Sequence, residues 1–238
     1  MRIQYFESEE TMGQQAAELV LQEVKRKTNA LLCTATGSSP KPLYRHLAKH
    51  DKFFANARII PLDEWIGLSS TEGSCHSYIN DYILQPLKIP IARYLSFNVN
   101  VKSLERECKR VQEWLNREGP IDLCILGLGK NGHLGFNEPA DELQPHCHIA
   151  NLTPESQGHH MIRGAESKPA QGLTLGIQDI LAAKKIILLV SGAHKKDATE
   201  QLLSGKITTN CPATWLWKHD NVDCLILKGK TKKYVQQF

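Results

Sequence analysis

The run Gly127-Leu-Gly-Lys-Asn-Gly-His-Leu-Gly-Phe-Asn-Glu-Pro139 holds the residues best suited to chemistry. His133 lies between Gly132 and Gly135, and a carboxylate, Glu138, follows close behind. A histidine that titrates near neutrality can accept a hydroxyl proton and pass it on. A lone histidine is more often a satisfied structural residue, but the glycines around this one let backbone approach a ligand closely. Three other stretches carry candidate groups. Thr36-Gly-Ser-Ser39 lies just before Pro40, and backbone N–H groups at a helix start favour an anion while hydroxyls add donors; the same residues also suit an ordinary cap and turn. Asp63 ends an apolar stretch and precedes Glu64, a setting equally good for a surface or capping carboxylate. Lys195 follows Ser191-Gly-Ala-His194 at a helix start, where a cation is mildly disfavoured unless an anion sits beside it. The chain has neither a Walker lysine motif nor Gly-x-Gly-x-x-Gly, so nucleotide binding is disfavoured.

These groups need elements to position them, and strand-like and helix-like segments alternate along the chain. Short apolar runs at Arg2–Phe6, Ala30–Ala35, Ala57–Leu62, Ile121–Leu128, Lys185–Val190 and Val222–Leu227 read as strands. Helical spacing appears over Glu9–Lys27, from Pro40 through Leu47, over Ser74–Ile83, and from Lys195 to Leu203. Ser103 caps an amphipathic helix through Leu104, Cys108, Val111 and Leu115, with Glu105 and Glu107 near its positive end. After the signature, His146–Leu152 reads as a strand, Pro154–Met161 as a short helix, and Leu173–Ala182 as a strand-like start followed by a helix. This alternation predicts a single α/β domain spanning residues 1–238, a Rossmann-like, mostly parallel sheet with helices on both faces. All four candidate stretches follow strands, so they should gather at the carboxyl edge of that sheet.

Composition narrows the function class. The 238 residues are 41% apolar and 23% charged, ordinary for a globular protein with a large core. A net charge of +4, with no basic stripe interleaved with aromatics, argues against a nucleic-acid partner. No apolar run reaches the length of a membrane span, and the first residues lack the apolar core of a signal peptide. Seven scattered cysteines without a Cys-x-x-Cys suit free thiols in a reducing cytoplasm. His146 and His148 would share a face of a strand, but a third and fourth zinc ligand are not evident, so no metal is expected. Trp65, Trp215 and Trp217 read as packing residues, and Lys228, Lys230, Lys232 and Lys233 as a solvated tail.

The signature run resembles that of the glucosamine-6-phosphate deaminase group, the amino-sugar 6-phosphate deaminases and isomerases. Ala35-Thr-Gly-Ser-Ser-Pro40 is similar to the group's phosphate loop, Leu62-Asp-Glu-Trp-Ile-Gly-Leu68 to its catalytic-base motif, and Ser191-Gly-Ala-His-Lys195 to its late lysine loop. Within the group, Asp63-Glu-Trp65, Gly129-Lys-Asn-Gly132, Leu143-Gln-Pro-His-Cys-His148 and Trp215-Leu-Trp217 look closest to galactosamine-6-phosphate isomerases. The resemblance implies a cytoplasmic enzyme acting on a small-molecule amino-sugar 6-phosphate, with no cofactor. It makes Asp63 the base at C2 and His133 the ring-opening group, with Glu138 as its carboxylate partner. Asn131, where many deaminases carry aspartate, could still orient the imidazole. Thr36, Gly37, Ser38, Ser39 and Lys195 would hold the 6-phosphate, joined by Arg163, which sits about one position off the usual arginine. The product would be a ketose 6-phosphate and ammonium: tagatose 6-phosphate from galactosamine 6-phosphate, or fructose 6-phosphate from glucosamine 6-phosphate. A 6-phosphogluconolactonase is a poorer match, because that related family lacks the Phe136-Asn-Glu-Pro139 continuation. A sugar-phosphate sensor of a transcription regulator would need a helix-turn-helix that the N-terminal stretch has no room for. A homo-oligomer is compatible with the sequence, and relatives include hexamers and monomers.

Overall fold

The computed structural model describes residues 1–68, 73–165 and 168–228. Its elements run β1 (Arg2–Phe6), α1 (Glu9–Arg26), β2 (Leu31–Thr34), α2 (Lys41–Leu47), β3 (Arg58–Pro61), β4 (Asp63–Ile66), α3 (Cys75–Ile79), α4 (Leu104–Glu118), β5 (Leu123–Gly127), β6 (His148–Asn151), α5 (Pro154–Gln157), β7 (Gln171–Thr174), α6 (Ile177–Leu181), β8 (Ile186–Val190), α7 (Lys196–Leu203) and β9 (Val222–Leu227).

Six strands form one sheet in the order β1-β9-β8-β5-β2-β3, and every pairing in it is parallel. Its central strands are apolar on both sides, and β2, β5 and β8 contain no exposed residue. That pattern requires a covered sheet. One face packs Val20, Val24, Leu43 and Tyr44 from α1 and α2; the other packs Cys108, Val111, Ile180 and Leu202 from α4, α6 and α7. The molecule is therefore a single α/β domain with helices on both faces of a mostly parallel sheet, as the alternation predicts.

The helix ends follow local chemistry. Ser8 Oγ accepts the Thr11 N–H at 3.1 Å at the start of α1, and Ser103 Oγ accepts the Arg106 N–H at 3.3 Å at the start of α4. Glu105 and Glu107 lie in the first turn of α4, against the positive end of the helix dipole.

A second, three-stranded antiparallel sheet, ordered β4-β7-β6, was not foreseen. The chain leaves β3, passes Leu62, and enters β4 directly at Asp63, which pairs with Thr174 of β7. Each of these strands has only four residues. The pairing of β4 with β7 joins segments more than a hundred positions apart, so local periodicity carries little trace of it. Of the expected C-terminal lysine tail, Lys228 pairs with Glu7, while Lys230, Lys232 and Lys233 lie outside the described residues.

Candidate active site

Four neighbouring strands of the main sheet, β3-β2-β5-β8, bring the four candidate stretches together. Because these strands are parallel, the segments after them emerge on one edge, where open α/β sheets bind ligands. A cavity of about 610 Å³ opens there. Thr36, Gly37, Ser38, Ser39, Asp63, His133, Arg163 and Lys195 all line it. Asn131 and Glu138 stand behind His133.

Asp63 is 7% exposed. Its Oδ1 accepts the Cys75 S–H at 3.3 Å, and Thr36 Oγ1 lies 3.6 Å from the same sulfur. Burial raises the Asp63 pKa to about 7; Cys75 and His133 lower it in part, while neighbouring Glu64 works with burial. A carboxyl group that titrates near neutrality can both take and return a proton. Glu64 has a different setting. Its carboxylate accepts the backbone N–H groups of Trp65 and Cys75 at 2.9 Å and of His76 at 2.7 Å, fixing the start of α3 against β4.

The β5 loop forms the second group. Glu138 receives the Asn131 amide at 2.9 Å and the Thr153 hydroxyl at 3.2 Å on Oε2, and the Ser156 hydroxyl on Oε1. His133 Nδ1 lies 3.3 Å from Glu138 Oε2. Burial works to raise the Glu138 pKa, but these partners, His133 first, hold it down at about 2. The carboxylate is thus ionised and can only accept.

Asn131 makes no hydrogen bond to the imidazole itself, so any orienting role is indirect. Its Oδ1 accepts the His133 backbone N–H at 3.2 Å and its amide donates to Glu138. Asn131 therefore shapes the loop and the carboxylate, and reaches the ring only through them.

Two glycines of this loop are required by close packing. Gly132 has φ +86°, a conformation costly for other residues, and its Cα faces Cys211. Gly129 lies against the His133 ring, and any Cβ there would overlap the ring atoms. Gly129→Ala is expected to displace the imidazole and lower kcat/KM by about 10²-fold with little change in the far-ultraviolet circular dichroism spectrum. Wild-type kcat/KM in that variant would show that the ring position is immaterial.

The same cavity is lined by a buried cation. Lys195 is 9% exposed and its ammonium donates to Ser39 Oγ at 3.1 Å, while Ser39 and Ser191 hydroxyls lie 2.8 Å apart. Burial alone lowers the Lys195 pKa to about 8. Arg163 lines the same cavity despite its offset in sequence. His159 lies over Gly37 and 5.9 Å from the Trp65 ring; burial and then the nearby His160, His133, Lys195 and Arg163 push its pKa down to about 3.

Several of these residues escaped the sequence reading. Cys75 lies in the stretch read as the Ser74–Ile83 helix, Ser156 and His159 in the one read as the Pro154–Met161 helix, and Thr153 just before it, and nothing in their spacing marks them; α5 ends at Gln157, so His159 lies beyond it. Trp65 does pack, with its ring centroid 4.5 Å from that of Phe136, but it also lines the cavity. His146 precedes β6 and so does not share a strand face with His148. Its Nδ1 lies 3.0 Å from Asp179 Oδ1, while His148 Nδ1 bonds the His146 carbonyl at 2.8 Å. Among the described residues no group of three or more His, Cys, Asp or Glu is placed to hold a metal ion.

This constellation has counterparts in known proteins. The family model described as glucosamine-6-phosphate isomerases/6-phosphogluconolactonase matches residues 7–225. The AgaI protein of Escherichia coli (strain K12), named as a deaminase, is 40% identical over 229 residues, covering 94% of this chain and 91% of AgaI. Glucosamine-6-phosphate deaminase 1 of Bacillus subtilis (strain 168) is 35% identical over 233 residues, covering 95% and 96%. The solved structure of a monomeric glucosamine-6-phosphate deaminase superposes with a TM-score of 0.89 at 34% identity, covering 96% of this chain and 98% of that one. With the family model matched over nearly its whole length and relatives this similar aligned end to end, the chain belongs to the family of glucosamine-6-phosphate isomerases and 6-phosphogluconolactonases.

Proposed function

We propose that this protein is an amino-sugar-6-phosphate isomerase that releases ammonia. The observation that carries the reading is a single cavity lined by Asp63 and His133 together with the buried Lys195 ammonium, which donates to Ser39. The deaminase names of its relatives support the same class.

In this reading the 6-phosphate is held by the Thr36–Ser39 backbone and hydroxyls, Lys195 and Arg163. Backbone N–H groups before α2 and a buried ammonium suit a dianion. His133 takes the proton of the anomeric hydroxyl and delivers it to the ring oxygen as the C1–O5 bond breaks, and Glu138 stabilises the imidazolium formed in between. Asp63 removes the C2 proton of the open chain and returns it to C1, while O1 gains a proton and the amine gives one up, which turns the C1 aldehyde into a hydroxymethyl group and moves the double bond to C2 as an imine. Water adds at C2 and ammonia leaves, giving the ketose 6-phosphate. No step calls on a cofactor or on a second copy of the chain.

Galactosamine 6-phosphate is the favoured substrate, on the motifs shared with galactosamine-type isomerases; glucosamine 6-phosphate, its C4 epimer, is the alternative. The free thiols suit the cytoplasm, and among the described residues no helix is long and apolar enough to cross a membrane. An ammonia-release assay with the two sugars side by side tests the reading. Faster release from galactosamine 6-phosphate is expected. Equal rates would defeat the specificity assignment, and no release from either, with hydrolysis of 6-phosphogluconolactone instead, would overturn the activity.

A further inference from the structure

Ser156 lies at the third position of α5, 2% exposed, and its hydroxyl touches both members of the His133–Glu138 pair. Oγ donates to Glu138 Oε1 and lies 3.3 Å from His133 Nδ1. We propose that Ser156 is a positioning residue that fixes His133 in the tautomer carrying its proton on Nδ1, leaving Nε2 unprotonated toward the cavity. The inference rests on His133 as the ring-opening group and adds how this chain prepares it.

The argument is one of counting protons. The Ser156 hydroxyl has one hydrogen, and at 2% exposure its side-chain partners are Glu138 Oε1 and His133 Nδ1. Two arrangements are open to it. If it donated to a bare Nδ1, two acceptor oxygens, Ser156 Oγ and Glu138 Oε1, would face each other in contact with no hydrogen between them. Glu138 is ionised and cannot supply one. If instead the hydroxyl donates to Glu138, its oxygen lone pairs face Nδ1, and so does Glu138 Oε2 at 3.3 Å. Both then accept a forked Nδ1–H. Only this second arrangement leaves no repulsive contact.

The other neighbours do not duplicate the role. Asn131 accepts only the His133 backbone N–H, and Thr153 bonds Glu138 Oε2 at 3.2 Å without contacting the ring. Nδ1 lies 3.3 Å from Glu138 Oε2 and 3.3 Å from Ser156 Oγ, so the two oxygens aim the ring together, and the bond from Ser156 to Glu138 Oε1 ties them to one another. Nε2 makes no hydrogen bond to the described residues, and the His133 ring lines the cavity. A nitrogen that must accept the anomeric proton has to arrive without one of its own.

Ser156→Ala and Ser156→Thr test this in the full-length enzyme, each checked for folding by circular dichroism. Nitrogen-15 NMR of the histidine rings reports the tautomer directly and requires no turnover. In the wild type, His133 is expected to show a protonated Nδ1 and a bare Nε2. Ser156→Ala should give a mixture of tautomers and an about tenfold lower kcat with KM little changed. Ser156→Thr should restore both. An unchanged tautomer in Ser156→Ala overturns the proposal, whether or not kcat falls, because a loss of rate without it reports packing alone. If Ser156→Ala does not fold, Ser156→Cys, nearly the same size but a weak donor, takes its place with the same expected and overturning results. Absence of ammonia release by the wild type would refute the proposed function and leave the NMR result to judge the tautomer on its own.

Discussion

Asp63→Asn is expected to abolish exchange of the substrate C2 hydrogen with solvent and to lower kcat by about 10³-fold or more, while the protein becomes more stable at neutral and alkaline pH. The two effects have one cause. Burial holds the Asp63 carboxyl at a pKa of about 7, against 3.8 for the free side chain. The folded state therefore binds this proton more tightly than the unfolded chain does. Stability from the group is fully present below 3.8, declines as pH rises from there toward about 7, and is lost above it. The difference corresponds to roughly 4 kcal/mol at pH 8, an upper value for what removing the charge can return. For a chain of this size that is a rise in Tm of several degrees at pH 8, shrinking to nothing near pH 4. Thermal melts of both proteins at the two pH values measure it. Equal Tm at pH 8 would mean that Asp63 carries no buried charge, and retained C2 exchange would remove it from the mechanism.

Lys195→Met should raise KM by about 10²-fold and change kcat only a few-fold, since a buried ammonium hydrogen-bonded to Ser39 is placed to bind an anion rather than to react. Its burial has a second consequence. With the Lys195 pKa lowered to about 8, the free enzyme loses this cation in mildly alkaline solution. The kcat/KM profile should accordingly rise through about pH 7 as Asp63 ionises, and fall above about pH 8 as Lys195 deprotonates. In Lys195→Met the alkaline fall should disappear and the acid limb remain. Steady-state kinetics across pH 5 to 10 decides the point, and an alkaline limb that survives the substitution must belong to another group. His159, with its pKa near 3, stays neutral throughout and is not a candidate for either limb.

The main sheet was legible because each of its strands is a short apolar run bounded by turn residues, and each long helix repeats its apolar residues with the right period. Ser103 announces a helix start by residue type alone. The convergence of Thr36–Ser39 and Lys195 on one cavity was legible for a related reason: each follows a strand, and the loops at the carboxyl ends of parallel strands share one edge of the sheet. The small sheet was legible only in part. His146–Leu152 and the strand-like start at Leu173 foreshadow β6 and β7, but β4 was missed and the pairing of the three was not legible, because β4 finds its partner far away in sequence.

The residue types and their order along the chain determined the α/β class, the candidate acid-base groups and the anion loop, since those depend on local periodicity and on chemistry each side chain carries by itself. Tertiary structure alone decided the protonation of those groups and the partners that tune them. Asp63 titrates near neutrality because burial outweighs the lowering bond from Cys75, and Glu138 stays charged because His133, Asn131, Thr153 and Ser156 converge on it. Desolvation and hydrogen bonding act through space. Cys75, Thr153 and Ser156 each lie more than ten positions from the carboxylate they touch, so no spacing in the sequence could reveal them.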